Sequence, residues 1–343
     1  MRLRGRFGAF VLSALLWLPG ADAREIQAEV LAPTEVTLVW LSARHLAEAG
    51  ANGDPKLVVT DASARGQVPD TLGLRILPLH DLAREVPELT VLQLPFLFPD
   101  LGGVHRAQDG ELGAALREAA RARGWEVLAF WDEGLQVMSG NLAYTHPRAL
   151  RGMEFVLLRD DPIAEMELRA LDVWSRRARP ASLAQLHTEC VVSSRSATLQ
   201  QIRAEQLARV HLDLTLSRHR YEGWVVAMRR EAWDALGPEE RAALTGRLDG
   251  MRDWQRERAG QDEAAALNEL LRDGMTAHPL PAQTWAAYRA MQPDWVRFLP
   301  ERLPLESRVR LVALAAAAAG VAGGGAAGEP LPQAQTQAPE RQP

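Results

Sequence analysis

Few residues of this chain stand in patterns that catalyse. The single cysteine, Cys190, sits in the run Glu-Cys-Val-Val, the surroundings of an inert buried thiol rather than an activated nucleophile. One thiol can form no intrachain disulfide and no multi-cysteine metal cluster. Eight histidines are scattered, and the nearest pair, His211 and His219, is too far apart to chelate a metal from one helical face. Asp132 and Glu133, beside Trp131, are an acid pair that could move protons, but two adjacent acids do not define a general acid and base. Asp160 and Asp161, just before Pro162, read as a solvated loop pair. The chain has no GxxxxGK[ST] phosphate loop, no GxGxxG after a strand and no GxSxG elbow. No enzyme activity, cofactor or metal is expected. Ten tryptophans beside only three tyrosines are unusual. Most should be core, but Trp131, Trp174 and Trp224 are expected at element ends or loops, where pockets form.

The chain that must position these residues is 343 residues long, 47% apolar and 24% charged, enough for two lobes or one large domain. A net charge of −5 argues against nucleic-acid binding, and Lys56 is the only lysine in a chain rich in arginine. Arg2, Arg4 and Arg6 precede the apolar run from Phe7 to Leu18, and Ala21-Asp22-Ala23 fits a signal-peptidase site. Export to the periplasm with cleavage after Ala23 is therefore expected. Glu35–Ser42, Pro55–Thr60 and Trp125–Trp131 read as strands, as does Phe155–Leu158. Thr90–Phe98 reads as a short strand running into a turn at Pro95. Helical spacing marks Asp109–Arg123 and Ala164–Leu171. The alternation predicts an α/β fold with mostly parallel sheets. From Gly237 an apolar period of three or four residues runs through Leu244, Leu248, Met251 and Trp254 to Leu271, ending near Gly274. So long a helix, polar round much of its girth, should bridge two lobes. Residues 311–343, Ala/Gly-rich and then Pro/Gln-rich, read as a disordered tail.

Three stretches carry a resemblance. Residues 94–141 open Leu-Pro-Phe-Leu-Phe and run through Gly124 and Trp131 to Gly134-Leu135-Gln136. Residues 146–173 begin His-Pro-Arg-Ala-Leu-Arg-Gly, and residues 216–244 contain His219, Tyr221, Trp233 and Pro238-Glu239. In that order they resemble the solute-binding proteins of TRAP transporters, the DctP-like family, as a divergent member. The resemblance implies a two-lobed periplasmic binding fold of type II kind, a ligand cleft between the lobes and a long helix across both. It implies lobe 1 from residues 24–141 plus about 226–259, and lobe 2 from 142–225 plus about 260–310.

The departures fall on the binding residues. The family's Arg that ends Gly-Leu-Lys-Ile-Arg forks onto a substrate carboxylate; here Val156 takes its place after Gly152-Met153-Glu154-Phe155. The Arg of the preceding motif is replaced by Gln136, and the family's Gly-x-x-Asp-Gly turn near Glu189–Ser193 has lost its glycines and acid. Either the ligand is not a simple carboxylate or another arginine substitutes, from Arg159, Arg176, Arg177, Arg179 and Arg195. The resemblance implies a protein that closes on a small organic solute and delivers it to a TRAP membrane permease. Trp131 also belongs to the expected binding set. In that reading Gln136 and Asn141 supply hydrogen bonds from one rim, Trp174 or Trp224 an apolar wall, and Arg159, Arg177 or Arg195 the charge. The alternative is a degenerate relative that serves as a periplasmic sensor or interaction module without transport.

Overall fold

Two long strands organise the molecule because their sequences leave no face for water. Strand β10 (Tyr221–Arg229) reads Tyr-Glu-Gly-Trp-Val-Val-Ala-Met-Arg; Val225 and Ala227 enter one core, while Trp224, Val226 and Met228 enter another. It pairs antiparallel with β4 (Trp125–Leu135) and with β3 (Leu74–Pro78). Strands β1 (Glu25–Val30) and β2 (Lys56–Asp61) extend the sheet in parallel, giving the order β2-β1-β3-β10-β4. A second sheet has the order β11-β9-β5-β8, from Thr276–Pro279, Asp213–Leu216, Val137–Gly140 and Ser194–Ala197. Strands β6 (Glu154–Leu157) and β7 (Trp174–Arg177) form a parallel pair beside it. This computed structural model describes residues 24–32, 37–51, 54–61, 73–179 and 194–320. Cys190, residues 1–23 expected as a leader, the stretch Glu189–Ser193 and residues 321–343 lie outside them.

The α/β architecture with two sheets agrees with expectation, but both sheets are mixed rather than mostly parallel. Residues 37–42, expected as strand, begin the helix Thr37–Glu48. Its buried Leu38, Ser42, Ala43 and Leu46 share one helical face, so that period overrides the β-branched composition. Residues 87–93 form a 3-10 helix rather than a strand, with Pro87 in the first turn, where its missing N–H costs nothing. Residues 311–319 are not disordered either. They end the helix Leu305–Ala319, whose Leu311, Ala315 and Ala319 recur every four residues and pack into the first core. Arg106 Nε caps it by donating to the Ala318 carbonyl at 2.9 Å.

The chain passes between sheets at Gln136 and at 217–220, a few residues from the divisions expected at 141 and 225. These passages hold each other: Gln136 N donates to Arg220 O at 2.8 Å, and His219 N to Gln136 O at 3.1 Å. Phe96, from the Leu-Pro-Phe-Leu-Phe turn of the first lobe, lies in the second lobe's aromatic core, with Tyr288 stacked at 5.6 Å. The helical pattern from Gly237 is two helices, Pro238–Gly250 and Arg252–Arg272, separated at the buried Met251. The second bridges the lobes: Gln255 bonds to β4, and Ala266 and Leu270 lie in the second lobe's core with Val137, Leu199 and Leu214. Residues 298–303, expected in lobe 2, return to the first core through Phe298, Leu299 and Leu303. No described helix is long and apolar enough to cross a membrane.

Candidate functional site

A cavity of about 700 Å³ opens between the two sheets. Leu31, Leu38, Pro78, His80 and Trp224 line it from the first, and Leu157, Leu158, Arg159, Arg195 and Gln200 from the second-lobe side. Its floor is built by one irregularity. Glu222 pairs with Gly134 and Gly223 with Asp132, so Glu133 is an extra, unpaired residue in β4. Such a bulge re-aims side chains, and it delivers Glu133 to the cavity. Gly134 at φ +152° takes up a backbone setting that a side chain would strain.

Around that floor two guanidinium groups and two carboxylates interlock. Arg220 forks onto Asp161 at 3.0 and 3.1 Å and donates through Nε to Gln136 Oε1 at 3.1 Å. Gln136 Nε2 donates to Glu222 Oε1 at 2.7 Å, and Arg159 Nη2 donates to the same oxygen at 2.5 Å. Arg159 also lies 3.2 Å from Asp161. Burial would raise both acids, yet the two arginines outweigh it and hold Asp161 well below, and Glu222 below, the usual carboxylate range. Asp161 also caps the helix Pro162–Ala170 by accepting from Ala164 N.

Glu133 and His80 shift towards their neutral forms instead. Burial, reinforced by Glu222, pushes Glu133 up to about 7 although Thr198 Oγ1 donates to it. Burial and then Arg159 push His80 down to about 4. Behind the cavity wall, burial raises Glu167 to about 7 and lowers His219 to about 3. The other two arginines are engaged as well: Arg195 forks onto Glu205 at 2.9 and 3.0 Å, and Arg203 reaches Asp262 at 3.1 Å. Among the described residues no group of three or more His, Cys, Asp or Glu stands where it could share a metal ion.

Of the residues singled out from sequence, Gln136, Arg159, Arg195 and Trp224 meet at this cavity. Trp131 does not: it lies within β4 opposite Trp224, buried in the first lobe, rather than at an element end. Val156 is fully buried in the second lobe's core beside Val137 and Leu214. Asn141 spends its side-chain oxygen on Leu212 N at 3.0 Å. Trp174 is 72% exposed on β7, and Arg177 is exposed between Asp160 and Glu165, so neither lines the cavity. Asp161 is a half-buried partner of Arg220 and Arg159 rather than a solvated loop acid. Arg220, Glu222, His80 and Gln200 were missed. The available signal was two charges flanking Tyr221 at the head of a strand too apolar to face water, since buried charge is kept only where it is paired.

Residues 70–301 match the family model described as bacterial extracellular solute-binding protein, family 7. The chain belongs to that family and is a solute-binding protein. It is 26% identical over 223 residues to the C4-dicarboxylate-binding periplasmic protein DctP of Rhodobacter capsulatus, covering 65% of this chain and 67% of that one. It is 23% identical over 226 residues to the 2,3-diketo-L-gulonate-binding periplasmic protein YiaO of Escherichia coli, covering 65% and 68%. The fold matches a TRAP periplasmic solute-binding protein of Ochrobactrum anthropi, whose C-terminus is bound in its ligand pocket. The TM-score is 0.76 at 21% identity, over 87% of this chain and 97% of that one. A Shewanella oneidensis relative with bound succinate gives 0.71 at 20% identity, over 87% and 99%.

Proposed function

We propose that this chain is the periplasmic solute-binding subunit of a TRAP-type transporter, capturing a small organic solute between its lobes. The supporting observation is the cavity of about 700 Å³ with walls from both sheets, since a ligand touching both walls stabilises the closed state over the open one. The lobes divide near Gln136 and 217–220, and rotation there opens and closes the cleft. Gln136, Arg159, Arg195, Glu222, Gln200 and Trp224 form the binding surface. The relatives named periplasmic, with the leader of residues 1–23, support export and cleavage after Ala23. The loaded protein then docks on a membrane permease. Native mass spectrometry of the chain drawn from periplasm is expected to show a mature N-terminus at Arg24 and a bound small molecule. X-ray scattering should show contraction when that molecule is returned to the emptied protein. A chain that carries no solute and never contracts would sink the reading.

A further inference from the structure

Three residues that line the cavity, Arg159, His80 and Gln200, each carry a buried polar atom with no partner among the described residues, and each comes from a different part of the chain. Arg159 follows β6, and its Nε is one of the three atoms. The other arginines of the cavity are spent. Arg195 and Arg220 each donate through Nε, Nη1 and Nη2 to protein acceptors, and Arg203 donates through both Nη1 and Nη2. Arg159 donates through Nη2 alone, to Glu222. An anion entering the cleft therefore finds its open N–H groups on Arg159, on a planar guanidinium whose geometry suits a carboxylate. One such anion is the limit. Six carboxyl groups of the chain already face the cavity against four guanidinium groups, so a second anionic end would meet an excess of like charge. The other two atoms call for hydroxyls. His80 lies in the first lobe's helix Leu79–Glu85, its ring is kept neutral by burial and by Arg159, and its Nδ1 is unpartnered. A neutral ring nitrogen donates or accepts according to its tautomer, and a hydroxyl answers either. Gln200 is 7% exposed; its Nε2 is committed to Glu133 O at 2.9 Å, and its Oε1 has no donor. A buried polar group left unpaired costs stability, so a ligand that pairs it binds the tighter for it. Leu31, Leu38, Leu157, Leu158 and Trp224 supply apolar wall between these points.

We infer that, within the solute-binding reading on which this rests, Arg159, His80 and Gln200 set the selectivity of the cleft, and that they select a hydroxy acid with a single carboxylate. The carboxylate sits on Arg159 of the second lobe, His80 Nδ1 of the first lobe meets a hydroxyl, and Gln200 Oε1 accepts a hydroxyl proton. A ligand held in this way touches both walls and so favours the closed state. A diacid is turned away because its second end offers an acceptor to the Gln200 acceptor, and a polyol because it brings no charge to Arg159.

The test is calorimetric titration and thermal unfolding of the exported chain with two sets matched in length. One is 4-hydroxybutanoate, succinate and butane-1,4-diol; the other is galactonate, galactarate and galactitol. The hydroxy acid of at least one set is expected to bind on the order of tenfold or more tighter than its diacid and its polyol. Gln200→Leu keeps the side chain's size without its acceptor, and His80→Phe keeps a ring without its nitrogens. Each is expected to weaken the hydroxy acid by on the order of tenfold and to narrow its lead over the diacid. Arg159→Gln, which can still donate to Glu222, is expected to abolish the preference for the hydroxy acid over the polyol, with unfolding in the absence of ligand reporting that it is folded. The inference is overturned if, in each set that binds, the diacid or the polyol matches its hydroxy acid. Silence from all six compounds overturns it too, as does hydroxy-acid affinity unchanged in both Gln200→Leu and His80→Phe. Each of these results leaves the solute-binding reading standing; that reading falls on a different one, the absence of any small molecule in the periplasmic protein.

Discussion

Tyr221 and Glu222 are neighbours on β10 that point to opposite faces of one sheet, and each anchors a buried polar network. On the Tyr221 side the tyrosine hydroxyl and both carboxylate oxygens of Asp132 are engaged, while Gln108 Oε1 is left without a partner. The hydroxyl donates to Asp132 Oδ1 at 2.8 Å and accepts from Gln108 Nε2 at 3.1 Å, while His105 Nε2 meets Asp132 Oδ2 at 2.5 Å. Gln255, from the bridging helix, bonds to both the N–H and the carbonyl of Asp132 at 2.9 Å. On the Glu222 side the ring of Arg159, Gln136, Arg220 and Asp161 is equally dense, yet it fronts a cavity and leaves Gln200 Oε1 open. Buried polar groups of similar number thus serve two ends. A network packed away from the cleft fixes geometry, and one whose open position fronts the cavity specifies what can bind.

The largest effect that would break this contrast is at Arg220. Arg220→Ala strips the forked partner from Asp161 and one of two cations from Glu222, leaving buried charge uncompensated. A loss of about 3–5 kcal/mol is expected, read from the urea midpoint. The next is at Glu133. In the fold it holds its proton to about 7, against 4.5 for the free side chain, so the unfolded chain ionises first. Stability therefore falls as pH climbs from about 4.5 to 7 and levels off above. The loss is up to roughly 3 kcal/mol at about 1.4 kcal/mol per pKa unit. Glu133→Gln removes that share, and its unfolding free energy should change less between pH 5 and 8 than that of the unaltered chain. On the Tyr221 side, Tyr221→Phe leaves Asp132 Oδ1 and Gln108 Nε2 each short of a partner and should cost about 1–3 kcal/mol with ligand affinity unchanged. The smallest effect is at Trp174, 72% exposed; Trp174→Ala should alter stability by less than about 0.5 kcal/mol and binding not at all. A large binding defect there would move the site off the cavity described.

Much of the frame was legible from sequence because it rests on period and punctuation. The apolar runs at β2, β4 and β6 and the helical stretch from Gly237 to Gly274 follow from spacing that any local reading finds, whereas the division of that stretch at Met251 does not. What escaped was decided by tertiary packing. Residues 37–42 look like strand by residue type, and only the buried face shared with Ala43 and Leu46 makes them helix. The alanine run after Leu311 reads as tail because it buries little area per residue, yet alanines allow close approach to the first core. The site was half legible for a related reason. Gln136 joins β4 to β5 and Trp224 lies on β10, both at the cleft, whereas Glu222 and Asp161 matter through partners 63 and 59 residues away in the chain.

Phe96 sets the terms on which the two halves can come apart. It stands at φ +54°, a setting that costs a branched or bulky residue on the order of 1 kcal/mol, and its N–H donates to His219 O at 2.5 Å. Its ring is wholly buried among Tyr288, His219 and Trp285 of the opposite lobe. An axle seated in its bearing permits turning but resists sliding, so the cleft can hinge without the halves shearing past each other. The same seating ties their melting together: the second lobe cannot lose its aromatic core without unseating a residue of the first, and heat should undo both in a single cooperative step.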